Sequence, residues 1–501
     1  MNEEFSDMIS YLPDYLGWHI LLSLAALGVG LIVSIPLGIL ASRRPKLAEY
    51  LLGGAGVLQT VPTMAMLVLM VPLLGGTIGF APAFVALTLY SILPILANTV
   101  TGIRGIDPTL TEAARGLGMN DWQMLTRVQL PLAAPVIIAG IRTATVLIVG
   151  TATLATPVGG MSLGNYIFSG LEMSDRQLTL FGCIVAALLA VGLDQIVHLL
   201  ELAAIRRSGR LAWCAVVGVV LVLLGGLYGP ITRAFSSGAP VIANAPFTEQ
   251  FILSEVIKDK LQKAGFREVD QRGGMGETIQ FLALKHDQID CCINYTGNVW
   301  ATLMKRKDVV DREKTYAEVV QFLCEEYGVE CLGKIGFENA YALTMLKKTA
   351  DAKGIKSIDD LAKHPDFKIA GDLQFFHRNE WRQIRKNYDL RLRAVEMNPS
   401  FLHNSLKDAS VEVICAYSSD GRFLGQELLT LSDPKQALPP YDAILLLSRK
   451  GAQNARLRTA LLPLVQAVND RAMQQANLRV DVEEQSPRRA ARELLLSLAR
   501  K

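Results

Sequence analysis

Six apolar runs crowd the chain up to Tyr228, near Gly17–Ser42, Tyr50–Leu74, Ile78–Ile103, Leu132–Pro157, Leu178–Leu200 and Leu211–Tyr228. Each is about as long as a helix must be to cross a bilayer, roughly 20 residues. Hydrocarbon offers no partner to backbone N–H and C=O groups, so spans of this length must be helices. From Val241 onward charged and apolar residues alternate as in a globular domain. The pattern predicts an all-α transmembrane bundle of about six spans followed by an α/β domain. The chain of 501 residues is 50% hydrophobic and 19% charged, too apolar on average for an ordinary soluble enzyme.

Arg43, Arg44 and Lys46 follow the first span, Arg104, Arg115 and Arg127 lie between the third and fourth, and Arg206, Arg207 and Arg210 precede the sixth. Cytoplasmic loops carry the excess of Lys and Arg, so these loops face the cytoplasm and the segment after the sixth span exits outward. The acidic start MNEEFSDMISYLPDYLGWH, with no small-residue cleavage site after it, makes the first run a permanent span rather than a signal peptide. Arg142 and Asp194 lie near cytosolic span ends, where an ion pair or interfacial solvation accounts for them. Expected boundaries are a membrane domain over 1–210, an extra membrane helix and linker over 211–239 containing Ser236–Ser237–Gly238, and an extracytoplasmic domain over 240–501.

In the external part the stretches VIANA, DCCIN, FKIAGD, VEVICAY and DAILLLS read as strands. Glu249–Ala264, Glu277–Lys285, Tyr316–Tyr327, Ile358–His364 and Asn454–Asn469 read as helices between them, an α/β alternation with room for two lobes.

The loop between the third and fourth spans, residues 107–131, reads as two short helices. Asp107 can cap the first with Pro108 at its first position, and Leu110, Ala113, Ala114 and Leu117 share one apolar face. Gly118 supplies a left-handed end, and Asn120 with Gln123 forms a capping box opening a second helix, Trp122–Gln129, before Leu130–Pro131 returns to the membrane. By these residues alone the pair is either a knob that docks on a cytosolic partner or an amphipathic interfacial loop.

Glu112-Ala113-Ala114, Gly118 and then Val128-x-Leu130-Pro131 resemble the EAA loop of bacterial ABC importer permeases. LQTVPTMAML and LYSILPILANTVTGI resemble the osmoprotectant (glycine betaine, choline, carnitine) permeases of that group. APFTEQFIL, RGGMGETIQFLAL, NYTGNVWATLMKR, GFENAYALTM, DLQFFHRNEW, YSSDGRF and LPPYDAILLL occur in the order of the cognate binding proteins, which have a type II periplasmic-binding-protein fold. The resemblance implies a permease fused to its substrate-binding domain, with lobe 1 over 240–344 and 441–501 and lobe 2 over 345–440. It further implies a bacterial inner membrane, a second copy of this chain, a cytosolic ATPase dimer and no cofactor on the chain itself. Glu112, Ala113, Ala114, Gly118, Leu130 and Pro131 would couple to that ATPase.

A quaternary ammonium has no N–H to donate and is held by aromatic faces, about 0.5–2 kcal/mol per ring. A carboxylate wants amide, hydroxyl or Arg donors. By resemblance Tyr295, Tyr417 and Phe376 are the aromatic candidates, and Gln250, Thr278, Asn339 and Arg378 the polar ones, with Asp420 a turn residue that relatives make a candidate. Two departures stand out. Asn294-Tyr295-Thr296-Gly297-Asn298 replaces D-Y-[ST]-G-T, and His403-Asn404 replaces an aromatic-containing pair. Related fused proteins take up ergothioneine, itself a trimethylated betaine, which makes it the rival cargo.

Other classes fit poorly. Gly160-Met161-Ser162-Leu163-Gly164 fits G-x-S-x-G but follows a membrane span, not a buried strand. Gly328 to Lys334 nearly fits a P-loop, yet Ile335 stands where Ser or Thr would hold magnesium. The histidines lack metal-ligand spacing, and no long basic run points to nucleic acid. Cys324 and Cys331 could pair, though free thiols are the expectation. A ligand-gated receptor without transport would have no use for the Glu112–Pro131 loop.

Overall fold

A computed structural model of the chain describes residues 3–173, 175–234, 238–306, 308, 311–397, 399–425 and 428–499. Ser236 and Ser237 of the expected linker lie outside the described residues. The chain divides into two compact units, one of Met1–Gly170, Arg176–Ser237 and Gly274–Ile279, the other of Leu171–Asp175, Gly238–Gly273 and Gln280–Lys501.

The first unit is helical: α1 (Glu3–Ser42), α2 (Pro45–Thr60), α3 (Thr63–Leu73), α4 (Phe80–Arg104), α5 (Pro108–Gly116), α6 (Asp121–Met124), α7 (Leu130–Ala152), α8 (Gly164–Glu172), α9 (Arg176–Arg206) and α10 (Gly209–Ala234). Among the described residues five helical segments are long and apolar enough to span a membrane, and the bent pair α2–α3 makes a sixth if counted as one.

That bent pair covers the expected second span, Tyr50–Leu74. Pro62 lacks an N–H and disfavours helical geometry in the residue before it. Val61 accordingly sits at φ −69°, ψ 128°, and the chain bends by 99°. The Tyr90 hydroxyl donates to the freed Val61 carbonyl, and Gln59 Nε2 donates to the Tyr90 carbonyl at 3.2 Å.

Close approach between helices rests on small residues, as membrane packing favours. A Cβ on Gly30 would lie 1.9 Å from Ser91 Oγ, and one on Gly140 would lie 2.7 Å from the Pro94 carbonyl. Thus α1 and α7 both press against α4. Arg142 of α7 forms the local ion pair with Asp194 of α9, Nε to Oδ1 at 2.5 Å and Nη2 to Oδ2 at 2.9 Å.

Among the described residues the second unit holds ten strands: β1 (Val241–Ala243), β2 (Asp270–Arg272), β3 (Cys291–Tyr295), β4 (Glu330–Glu338), β5 (Tyr341–Leu346), β6 (Lys368–Gly371), β7 (Arg393–Glu396), β8 (Val413–Tyr417), β9 (Leu428–Thr430) and β10 (Asp442–Leu447). They form two sheets, β2-β1-β3-β10-β4 and β7-β6-β8-β5-β9. In the first, β1 runs parallel to β2 and β3 while β10 is antiparallel to β3 and β4; in the second, β6 runs parallel to β7 and β8 while β5 is antiparallel to β8 and β9. This is the two-lobed type II binding-protein architecture.

Strands β3 and β10 are buried throughout, which explains why CCINY and DAILLL read as continuous apolar runs. The short strands β2, β7 and β9 carry exposed polar positions or sit at edges and gave no such signal. Because β4 and β5 lie in different sheets, the first crossing is at Asn339–Ala340, ahead of the expected Thr344; the second falls between β9 and β10.

The helix α11 (Thr248–Lys263) matches expectation, as does α12 (Glu277–Lys285). The expected helix Asn454–Asn469 instead ends at Leu461, followed by a single tight turn at Leu462–Leu464, and a separate helix runs from Asp470 to Asp481. Pro463, which cannot donate, interrupts the periodic pattern there. The segment resembling a P-loop is a helix C-cap at Gly328 (φ +65°) running into β4, with no phosphate cradle. All seven cysteines are free, including Cys324 and Cys331.

Candidate ligand site and coupling loop

Rings from both lobes gather at the crossing between the sheets. Tyr295 ends β3 and Tyr417 ends β8, and Phe247, just ahead of α11, stands between them with centroids 6.5 Å and 6.0 Å away. Tyr341, at the start of β5, lies 5.3 Å from Tyr417, 5.0 Å from Phe375 and 5.9 Å from Tyr441. The two sequence candidates Tyr295 and Tyr417 thus belong to one aromatic cluster. Phe247, Tyr341 and Tyr441 were missed, although each lies in a stretch that carries the family resemblance: APFTEQFIL, GFENAYALTM and LPPYDAILLL. Of the Phe pair, Phe375 is fully buried against Tyr341 and Trp381, and Phe376 is half-buried, packed edge-on to Trp381 at 5.3 Å.

Three of the four tyrosine hydroxyls have a carboxylate to donate to. Tyr295 donates to Glu249 Oε1 at 2.9 Å, Tyr417 to Asp372 Oδ2 at 3.1 Å, and Tyr441 to Glu380. Burial, with these neighbouring carboxylates, pushes the three phenols well above their ordinary range, so the rings stay neutral. Asn339 lies at the crossing, donating from Nδ2 to Glu249 Oε1 at 2.5 Å and accepting at Oδ1 from Ser419 Oγ at 3.0 Å. Burial pushes the Glu249 carboxyl up to about 7, against the lowering effect of the hydrogen bonds it accepts.

Arg378 reaches across the lobes: Nη1 donates to Asn298 Oδ1 at 3.0 Å while the guanidinium lies 5.8 Å over the Tyr341 ring. Asn298, one of the departures from D-Y-[ST]-G-T, therefore contributes the acceptor for this contact. In the same turn Thr296 Oγ donates to the Pro440 carbonyl and accepts from the Asp442 N–H, both at 3.0 Å. Gly297 is needed there because a Cβ would lie 2.6 Å from the Tyr441 ring.

The remaining candidates are arranged differently. Gln250 is engaged in the scaffold: its Oε1 accepts from the Ala245 N–H at 2.9 Å and its Nε2 donates to the Ile293 carbonyl at 3.1 Å. Thr278 is exposed on α12 and falls in the first unit, whereas the gathered rings belong to the second.

Asp420 is buried, accepting from His403 Nε2 at 2.8 Å and from Arg422 Nε at 2.9 Å and Nη2 at 3.0 Å. Burial alone would raise its pKa, but the His403 bond and the Arg422 charge hold it below the usual carboxylate range. Its partners thus make Asp420 a structural anchor, and His403 serves it rather than adding a ring to the cluster. Among the described residues no group of His, Cys, Asp and Glu could hold a metal ion.

In the loop 107–131, Asp107 accepts from the Thr109 N–H at 2.9 Å to cap α5, whose first residue is Pro108. Asn120 and Gln123 form the reciprocal capping box at 2.8 Å and 3.0 Å. Glu112 and Ala113 are exposed and Ala114 is buried. Leu110, Leu117 and Trp122 are 47%, 79% and 70% exposed, apolar side chains uncovered by the described residues.

Leu130–Pro131 does not break the second helix from the fourth span as expected. One helical run continues from Asp121 to Val158 through a wide turn at Leu125–Gln129, where the Leu130 N–H donates to the Leu125 carbonyl five residues back. Pro131, which has no N–H to donate, follows directly on this widened turn. Ser162 of the G-x-S-x-G stretch is buried, accepting from the Gly164 N–H at 3.1 Å and lying 3.3 Å from Thr156 Oγ.

Residues 241–496 match the family described as the substrate binding domain of ABC-type glycine betaine transport systems, and residues 34–206 match the inner membrane component of binding-protein-dependent transport systems. The chain belongs to the osmoprotectant ABC importer family. It joins the permease and the substrate-binding domain in one polypeptide. It is a transport subunit of the inner membrane, with the binding domain on the extracytoplasmic side and ATP hydrolysis assigned to a separate ATPase.

Among similar proteins, the ergothioneine transport permease/ergothioneine binding protein EgtU of Helicobacter pylori (strain G27) is 27% identical over 93% of this chain and 86% of its own length. The choline transport system permease protein OpuBB of Bacillus subtilis (strain 168) is 44% identical over 36% of this chain and 83% of its own length. A solved structure titled as a glycine betaine/carnitine/choline ABC transporter is 24% identical over 52% of this chain and 98% of its own, with a TM-score of 0.48.

Proposed function

We propose that this importer carries a trimethylammonium betaine or related quaternary amine, of the glycine betaine, choline and carnitine type. The observation that carries the reading is the cluster of Phe247, Tyr295, Tyr341 and Tyr417, drawn from both lobes at the crossing between the sheets. Aromatic rings gathered from both lobes suit a cation that cannot donate a hydrogen bond. Arg378 and Asn298 are the nearby groups suited to a ligand carboxylate, with Phe376, packed on Phe375 and Trp381, the further aromatic candidate. Ligand joins the lobes, the liganded domain presents to the outer mouth, and the permease then opens inward.

In the same proposal two copies of this chain form the permease and two cytosolic ATPase subunits grip it through the loop that bears Glu112, Ala113, Ala114, Gly118, Leu130 and Pro131. The exposed Leu110, Leu117 and Trp122 support that reading, since an apolar helix face fits a groove on a partner. No cofactor is needed on the chain itself. Fusion keeps the binding domain at high effective concentration beside its permease.

A second cargo, ergothioneine, is favoured by the similarity to the Helicobacter fused protein along 93% of this chain. The amides Asn294 and Asn298, which replace a carboxylate and a small hydroxyl, also suit a betaine with a further polar group. Calorimetric titration of the full chain in lipid nanodiscs with glycine betaine, choline, carnitine, proline betaine and ergothioneine tests both readings. Saturable binding of at least one is expected, weakened at least tenfold by Tyr417→Ala; if none binds, the quaternary-amine assignment is wrong.

A further inference from the structure

Glu249 lies directly behind the aromatic cluster. It is 5% exposed, two residues beyond Phe247 on the first turn of α11, and its Oε1 accepts from both Tyr295 and Asn339. Through Asn339 and Ser419 the same hydrogen-bonded chain reaches the loop that follows Tyr417 in the other lobe. One buried carboxylate is thus wired to a ring of lobe 1, to the crossing, and to the neighbour of a ring of lobe 2.

The charges that face this carboxylate come from several elements. Asp481, at the end of the helix Asp470–Asp481, accepts from Thr248 Oγ at 2.7 Å. Asp420 faces it from the loop after β8 but is paired with His403 and Arg422. On the other helices packed against α11, Glu493 is paired with Arg479 at 2.6 Å, and Arg458 with Glu330 at 2.9 Å. Among the described residues no cation is paired with Glu249, and burial together with the Asp420 charge favours its protonated form up to about 7.

Given the quaternary-amine reading above, on which it rests, we propose that Glu249 is a positioning residue that sets the charge of the cation site without touching the ligand, so that capture of the cation expels a proton. With the site empty of cation, the buried carboxyl keeps its proton near neutral pH. A trimethylammonium group between the rings favours the carboxylate, which loses that proton to solvent; the site gains one positive charge and gives one up. The ionised carboxylate then accepts a charge-assisted bond from the Tyr295 hydroxyl, which leaves the ring richer in electrons toward the cation.

The test is titration of the full chain in nanodiscs with choline, glycine betaine and ergothioneine at pH 6, 7 and 8, each in two buffers of different ionisation enthalpy. One linked proton changes affinity by at most tenfold per pH unit, so roughly tenfold tighter binding at pH 8 than at pH 6 is expected, with a fraction of a proton released near pH 7. Glu249→Gln is expected to abolish the released proton and flatten the profile. Tyr295→Phe, which keeps the ring and cuts the link, is expected to reduce both, and it decides the matter if Glu249→Gln fails to fold. A flat profile in the unsubstituted chain, or an unchanged slope in both variants, overturns the proposal and leaves the cargo assignment standing. Absence of binding by all three probes at every pH refutes the assignment, and the proposal falls with it.

Discussion

Replacing Gly118 by Ala, Asn and Val separates backbone strain from crowding in the coupling loop. Gly118 has φ +78°, and a Cβ there would meet nothing within 4 Å. Its N–H donates to the Arg115 carbonyl at 3.0 Å and that of Met119 to the Ala114 carbonyl at 3.2 Å, the paired bonds that close a helix with a left-handed residue. Since space is free, the whole cost of a side chain is conformational, about 1–2 kcal/mol for Ala. That corresponds to a turn opened roughly 5- to 30-fold more often. Asn tolerates the left-handed region and should lose less than Ala, while β-branched Val should lose more. Hydrogen exchange of peptides covering 112–125 in the full chain reads the opening directly, with coupled ATPase turnover following the same order. If Asn exchanges faster than Ala, crowding and not strain is the constraint; if Ala exchanges like Gly, the reasoning fails outright.

Asp420→Asn should cost about 3–5 kcal/mol, because Arg422 and His403 lose their buried counter-charge; a melt of the full chain within 1 °C of the unsubstituted one would contradict the anchoring role. As the folded Asp420 lies below the ordinary carboxylate range, its contribution is present above about pH 4 and lost as pH falls further, a slope the Asn variant should lack. Asp481 works in the opposite sense: burial raises it to about 7, so its contribution is full at low pH and lost as pH rises toward about 7. Gly421→Ala puts a Cβ 2.1 Å from the Leu478 N and 2.7 Å from the Gln474 carbonyl, all rigid helix backbone. The loop after β8 must shift, costing about 1–3 kcal/mol, and limited proteolysis should show earlier cleavage near 418–421.

Local chemistry made the coupling loop legible. Asp107, Pro108, Gly118, Asn120 and Gln123 each act within a few residues of themselves, so their spacing alone gave both caps and the left-handed end. Leu130–Pro131 misled because a proline reads as a boundary, while a widened turn carries the helix through it. Val61–Pro62 shows the converse: the apolar run Tyr50–Leu74 has span length, yet a single missing N–H turns it by 99°. In the binding lobes β1, β3, β6, β8 and β10 were legible as apolar runs, while β2, β4, β5, β7 and β9 were not: β2 and β7 are short polar stretches, β4 alternates half-buried and buried positions, and the buried β5 shows that an apolar run does not by itself tell strand from helix.

Sequence by itself determined the membrane and external halves, their orientation and the order of the binding segments, since hydropathy, charge and motif order are properties of the chain as written. Tertiary structure alone decided which rings meet and what each polar group is bonded to. Tyr295 and Glu249 are 46 residues apart, Tyr417 and Asp372 are 45 apart, and Asn298 and Arg378 are 80 apart. No periodicity can announce such partners, because they become neighbours only when two sheets built from discontinuous segments close around a common crossing.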